Sequence, residues 1–143
     1  MKTVINYLLA LVLFSSVLVS CEPDTVAPDA SQPDTDPREV YVGNWLCTEN
    51  SKLAGQQTFT VSISLNPSNS TEVLIANFYL FGNDQKARAL VAGNNISIPS
   101  QSLCNFTISG SGYIDNNKTT INWNYYVKDS QQNDTCTAVY AKK

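Results

Sequence analysis

From Val40 onward the chain repeats with a period of two. Between Gln57 and Leu65, Phe59, Val61, Ile63 and Leu65 alternate with Thr58, Thr60, Ser62 and Ser64. Apolar side chains on every second residue fall on one face of an extended strand, so this stretch reads as a half-buried antiparallel strand. The same reading continues along the chain. Tyr41 to Thr48 is a first strand, Glu72 to Phe81 a third that is apolar on both faces, and Lys86 to Val91 a fourth. Asn95 to Ile98 is a short fifth, ending before Pro99. Cys104 to Ile114 is a sixth, with Gly110 and Gly112 pointing to a bend or bulge. Thr119 to Lys128 is a seventh, with Ile121, Trp123, Tyr125 and Val127 inward, and Asp134 to Ala141 an eighth. Turn residues separate them: Asn66-Pro67-Ser68-Asn69, Gly82-Asn83-Asp84, the hairpin pair Gly93-Asn94, and Asp115-Asn116-Asn117.

Eight short strands joined by short turns read as an all-β, antiparallel up-and-down meander. Left open, it would expose two sheet edges, and closure into a small barrel removes both. Eight strands enclose an interior that side chains fill, or one small ligand.

The N-terminus obeys a different pattern. Lys2 precedes an apolar run from Tyr7 to Val19 that is too short for a membrane span of ~20 residues and suits a signal peptide over residues 1–20. Leu18-Val19-Ser20-Cys21 resembles the bacterial lipobox, which implies cleavage before Cys21 and lipidation of its thiol; two or three acyl chains hold a protein firmly at a membrane. Residues 21–39 follow as a tether. Pro23, Pro28, Pro33 and Pro37 punctuate a stretch in which six acids face one base, Arg38. Such a segment has nothing to bury and extends as a disordered spacer, up to ~50 Å long at ~3 Å per residue. Its acids resemble the export signals of Bacteroidetes surface lipoproteins and read equally well as a generic solvated linker. The domain, residues 40–143, is nearly neutral, with six acids and seven bases, and carries no basic patch dense enough for nucleic acid.

Gly43-Asn44-Trp45 on the first strand resembles the Gly-x-Trp of the calycins, the group of lipocalins and fatty-acid-binding proteins. The resemblance implies that Trp45 closes the barrel floor and that a basic residue near the C-terminus packs on it; here only Lys142 or Lys143 is available. The chain as a whole looks like small lipocalin-like lipoproteins of the Bacteroidetes, which implies a location in the cell envelope, at the outer membrane or the cell surface.

The chemistry of the domain is sparse. There is no histidine, so the commonest general base and metal ligand is missing. The acids Glu49, Glu72, Asp84, Asp115, Asp129 and Asp134 are scattered singly at strand ends and turns, where solvated side chains are expected. No catalytic residue, metal site or cofactor is assigned. Cys47 and Cys136 fall on inward faces of the first and last strands, which closure makes neighbours. A disulfide between them would close a loop of about ninety residues and contribute ~4 kcal/mol in the chain-entropy model, leaving Cys104 as a buried thiol. Trp45, Phe59, Phe106, Trp123, Tyr125 and Tyr140 fall on inward faces as ligand lining or as core, with Tyr126 and Phe78 on other faces. The expected function is therefore non-catalytic: a lipid-anchored interaction or structural module meeting an envelope protein. The alternative is carriage of a small apolar ligand inside the barrel.

Overall fold

A computed structural model describes residues 35–143. The expected signal peptide, Cys21 and most of the expected tether lie outside the described residues. Eight strands, β1 (Gly43–Ser51), β2 (Gly55–Leu65), β3 (Glu72–Ala76), β4 (Lys86–Ala92), β5 (Asn95–Leu103), β6 (Phe106–Ile114), β7 (Thr120–Lys128) and β8 (Asn133–Lys142), form a closed antiparallel barrel in chain order. β1 pairs with both β2 and β8, so no edge is left. Alternation decides which side chains enter. On β7, Ile121, Trp123, Tyr125 and Val127 are buried between exposed neighbours, and on β8 the same holds for Asp134, Cys136, Ala138 and Tyr140.

The two ends are unlike. At one, a 3₁₀ turn (Glu39–Tyr41) runs beneath the barrel and buries Tyr41, whose hydroxyl donates to the Gly93 carbonyl at 3.0 Å. Arg38, expected in the disordered tether, is instead part of the domain. It is 8% exposed, pairs with Asp36 at 2.6 Å, and donates to the carbonyls of Asn69 and Glu72 at 2.8 and 2.9 Å. An arginine with three main-chain acceptors and a carboxylate is held more firmly than proline and acidic composition alone suggest.

Four further expectations are corrected. First, β3 stops at Ala76. Asn77 adopts a left-handed conformation (φ 58°), its amide oxygen accepts from the Gly82 N–H at 3.1 Å, and residues 78–80 form a 3₁₀ turn over the other end. The continuous apolar run Phe78–Phe81 imitates a strand buried on both faces, yet it buries Phe78 inside the barrel. Second, β5 continues through Pro99, which sits where the β5–β6 register shifts between Ile98 and Gln101; an irregularity there accommodates a residue without an N–H. Third, Cys104 opens no strand: with Asn105 it makes a two-residue hairpin in which both have positive φ, 50° and 67°. Neither is glycine, so the turn left little trace in the sequence. Fourth, Gly110 and Gly112 mark a close approach, and the irregularity beside Gly110 lies on its partner strand, between Ile98 and Gln101. A Cβ on Gly110 would stand 2.5 Å from that of Tyr125, and one on Gly112 would stand 2.8 Å from the Trp123 ring. Two inward aromatic side chains of β7 thus lie across a bare strip of β6.

The β1–β8 register also settles the cysteines. Cys47 and Cys136 do face inward from adjacent strands, but Cys47 stands opposite Tyr140 and Cys136 opposite Ser51. Four residues of strand, about 13 Å at ~3.3 Å each, separate them, beyond the ~7 Å between Cα atoms that a disulfide tolerates. Cys47, Cys104 and Cys136 are free thiols, and the expected bridge is not formed. Cys104 is half-buried in its turn.

Candidate functional site

Trp45 occupies the floor. It is fully buried, its indole N–H donates to the Tyr41 carbonyl at 2.8 Å, and the Lys142 ammonium stands 5.2 Å from its ring centroid. Lys142 therefore supplies the basic residue that the calycin resemblance implied, and its ammonium also donates to the Val40 carbonyl at 2.9 Å. Every polar atom named here has a main-chain or charged partner, so the floor is a finished structure with little left to bind.

The opposite end is different. It is ringed by the β1–β2 turn (52–54), the long β3–β4 connection (77–85), the Cys104-Asn105 hairpin and the β7–β8 turn (129–132). A cavity of about 320 Å³ opens there, lined by Leu53, Ala54, Tyr79, Phe106, Val127 and Asp134, with Asp129 and Gln132 at its rim. The aromatic side of this mouth is continuous: Tyr79 packs on Phe81 with centroids 5.3 Å apart, Phe81 on Phe106 at 5.2 Å, and the buried Phe78 on Tyr125 at 4.7 Å.

Asp134 organises the mouth. Oδ2 accepts from the Ser51 hydroxyl at 2.5 Å and from the Tyr79 hydroxyl at 2.7 Å, while Oδ1 accepts from the Leu53 N–H at 3.2 Å. Ser51 Oγ in turn accepts from the Ala54 N–H at 2.7 Å. One carboxylate thus joins the β1–β2 turn, the β3–β4 connection and the start of β8. Burial pushes its pKa up, but hydrogen bonds from Ser51, Tyr79, Cys136 and Leu53 outweigh burial and leave it below the ordinary value.

Two rungs deeper than Asp134, Glu49 is 1% exposed and accepts from the Tyr125 hydroxyl. Burial raises its pKa above the ordinary carboxyl value, the Tyr125 bond opposes this, and the nearby charge of Asp134 adds to it. Burial pushes the Cys47 thiol up to about 12 and raises that of Cys136 as well. Both stay protonated at neutral pH, unlike a nucleophilic cysteine. The indole N–H of Trp123 and the hydroxyl of Tyr140 are buried without a hydrogen-bond partner. The Cys47 thiol lies beside Tyr140 but is a weak partner, and the hydroxyl makes no hydrogen bond of ordinary geometry.

The predicted aromatic residues are therefore divided. Trp45 belongs to the floor, Trp123, Tyr125 and Tyr140 to the inner wall, and Phe106 to the mouth. Phe59 is half-buried on the inner face of β2, opposite Cys47. Phe78, expected on another face, is fully buried; Tyr126 is 51% exposed. Glu49 and Asp134 were expected in solvent and are interior. Their signal was parity: Glu49 continues the inward series Trp45, Cys47, and Asp134 begins the series Cys136, Ala138, Tyr140. A broader groove of about 680 Å³ lies on the barrel's flank, with Asn44, Thr60, Asn77, Lys86 and Lys143 among its lining residues. It is polar and more open than the mouth, and it has no contact with the buried carboxylates. Among the described residues no cluster of histidine, cysteine and acidic side chains could hold a metal ion, and no helix is long and apolar enough to cross a membrane.

Fold and site together define a small closed β-barrel with one sealed end and one ligand-sized mouth. Solved structures share this architecture. The chain superposes on EF1p2_mFAP2b bound to DFHBI with a TM-score of 0.53 at 12% identity, covering 76% of this chain and 98% of that one. It superposes on a redesigned β-barrel, b11L5F_LGL, with a TM-score of 0.52 at 12% identity, covering 78% and 99%. At that identity the likeness is one of fold alone. No protein-family profile matches the chain, and no curated protein matches it.

Proposed function

We propose that the chain is an exported lipoprotein whose barrel is a non-catalytic binding module, taking a small, largely apolar molecule at its mouth. The observation that carries this reading is the cavity between Tyr79, Phe106 and Val127. Its volume of about 320 Å³ lies at the lower end of the ~300–1,000 Å³ common for small-molecule sites, and its walls combine aromatic faces with the buried acceptor Asp134. A structural neighbour is bound to the small molecule DFHBI, which supports the capacity of this architecture to hold one. The lipobox-like Leu18–Cys21 and the acidic, proline-rich segment after it support anchoring at the cell envelope. The described chain enters the barrel at the sealed end, through Arg38 and the 3₁₀ turn Glu39–Tyr41.

A second reading, the surface interaction or structural module contacting an envelope protein, draws on the filled floor, where Trp45, Tyr41 and their neighbours leave no room for a guest. The readings are separated by titrating the purified chain with a neutral solvatochromic dye such as Nile red. The binding reading predicts a saturable blue shift that Ala54→Trp, filling the mouth, abolishes without lowering thermal stability by more than a few degrees. Dye binding that Ala54→Trp leaves untouched, or no saturable binding, favours the interaction module. Anchoring is tested by the mass of the N-terminal peptide from source cells: acyl chains on Cys21 are expected, and an unmodified thiol contradicts it.

A further inference from the structure

Behind the mouth, the wall formed by β1, β8 and β7 carries polar atoms that the fold itself does not use. Register places Glu49 and Trp123 at the same level on either side of Ala138. Two inter-strand spacings of ~4.8 Å put their backbones about 10 Å apart, with only the methyl group of Ala138 between. The rung toward the floor holds Cys47 and Tyr140, and the rung toward the mouth holds Ser51, Cys136 and Tyr125. A carboxylate offers about four lone-pair sites, and the one bond shown for Glu49 comes from Tyr125. Trp123 Nε1 and Tyr140 Oη are buried with no partner, although buried polar atoms in folded proteins are overwhelmingly paired. Those two unpartnered groups sit on the same three-strand patch, their rings 5.8 Å apart. Facing the patch is Phe78, which the β3–β4 connection inserts against Tyr125. The next residue, Tyr79, lines the mouth cavity, so the connection that carries Phe78 also forms the cavity wall.

Building on the mouth-binding reading, we propose that Glu49, Trp123 and Tyr140 form the polar inner end of the site, which takes the neutral donor–acceptor head, a hydroxyl or an amide, of a compact aromatic ligand whose ring occupies the place of Phe78. A hydroxyl satisfies the patch in one step: it donates to Glu49 and accepts from the Trp123 N–H, with Tyr140 free to serve either role. A carboxylate head would meet Glu49 and Asp134 with like charge, and a hydrocarbon would leave Trp123 and Tyr140 unpaired. Burial already holds the Glu49 carboxyl above its ordinary pKa, which reduces its demand for a cation and suits a neutral head. The Phe78–Tyr125 contact, at a separation typical of favourable ring pairs, shows that the slot accepts an aromatic ring. Phe78 enters on a connection rather than a strand, so it can withdraw without breaking the barrel.

The test is calorimetric titration of the full chain with 4-ethylphenol, ethylbenzene and 4-ethylbenzoate. The phenol is expected to bind about tenfold more tightly than the hydrocarbon, the scale of a buried hydrogen bond left unmade, and the benzoate more weakly than the phenol. Trp123→Phe and Tyr140→Phe should each bring the phenol toward the hydrocarbon's affinity without changing the latter; two variants guard against one that folds poorly. Phe78→Ala should raise the affinity of both neutral compounds several-fold, because the plug no longer competes. Equal affinity for phenol and hydrocarbon, or a phenol preference that survives both ring variants, overturns the inner polar site while leaving mouth binding intact. Failure of both neutral compounds to bind, in the wild type and in Phe78→Ala, overturns the inner site and the mouth-binding reading together.

Discussion

Both ends of the barrel use aromatic side chains on the same eight strands, yet they close by different chemistry. At the floor, apart from the Arg38–Asp36 ion pair, Arg38, Tyr41, Trp45 and Lys142 donate to main-chain carbonyls. Those acceptors neither titrate nor move without the strands, so the floor has one arrangement. At the mouth, the carboxylates of Asp134 and Glu49 are the acceptors: Ser51, Tyr79 and the Leu53 N–H donate to Asp134, and Tyr125 to Glu49. Those acceptors titrate, one loop closes over them, and two buried polar groups nearby have no partner. Main-chain partners make an end structural, whereas side-chain partners make it responsive, and the aromatic-walled cavity opens at the responsive end.

The contrast can be broken from the floor first. Trp45→Ala removes the largest floor side chain and strands the Tyr41 carbonyl; a loss of about 3–5 kcal/mol is expected in urea unfolding, enough to unfold much of a marginal domain. Gly112→Ala should cost about 1–3 kcal/mol by pressing on the Trp123 ring; if it is neutral, the strip of β6 is not where the ring rests. At the mouth, Asp134→Asn weakens the acceptors joining three segments, with a loss of about 1–3 kcal/mol at pH 7. Because the folded pKa of Asp134 is lowered, its contribution is present above the unfolded carboxyl pKa and disappears as pH falls through the lower folded value. Glu49 has the opposite sign. Its folded pKa is raised, so stability is lost as pH rises through that value, and Glu49→Gln should stabilise by about 1 kcal/mol at neutral pH and by nothing in acid. Unfolding curves of the two variants across pH should therefore diverge, and parallel curves would contradict the distinction between the carboxylates. Smallest is Tyr79→Phe, about 0.5–1.5 kcal/mol, with faster hydrogen exchange confined to residues 77–85.

The barrel was legible because alternation is a local signal: Thr120–Lys128 and Asn133–Lys142 bury every second residue, and turn residues separate the strands. What alternation cannot encode is register. The positions of Cys47 and Cys136 were right as to face and wrong as to level, since parity says inward while pairing depends on how far one strand slides past another. The Phe78–Phe81 segment misled for a related reason: a run with strand-like apolar spacing turned aside because Asn77 accepts a left-handed conformation and ties itself to Gly82. The buried carboxylates were legible by parity, but position near strand ends suggested solvent. The β3–β4 connection covers that end, and nothing local to Glu49 announces it.

The most direct test of a ligand-binding mouth is native mass spectrometry of the protein isolated gently from the cells that make it, run again after denaturation. Acyl groups on Cys21, if carried, would be covalent and would remain in both spectra. The account predicts an additional mass of a few hundred daltons or less in the native spectrum alone, absent from Ala54→Trp produced in the same cells. A native mass equal to the denatured one, in cells where the wild type is fully folded and exported, would contradict it.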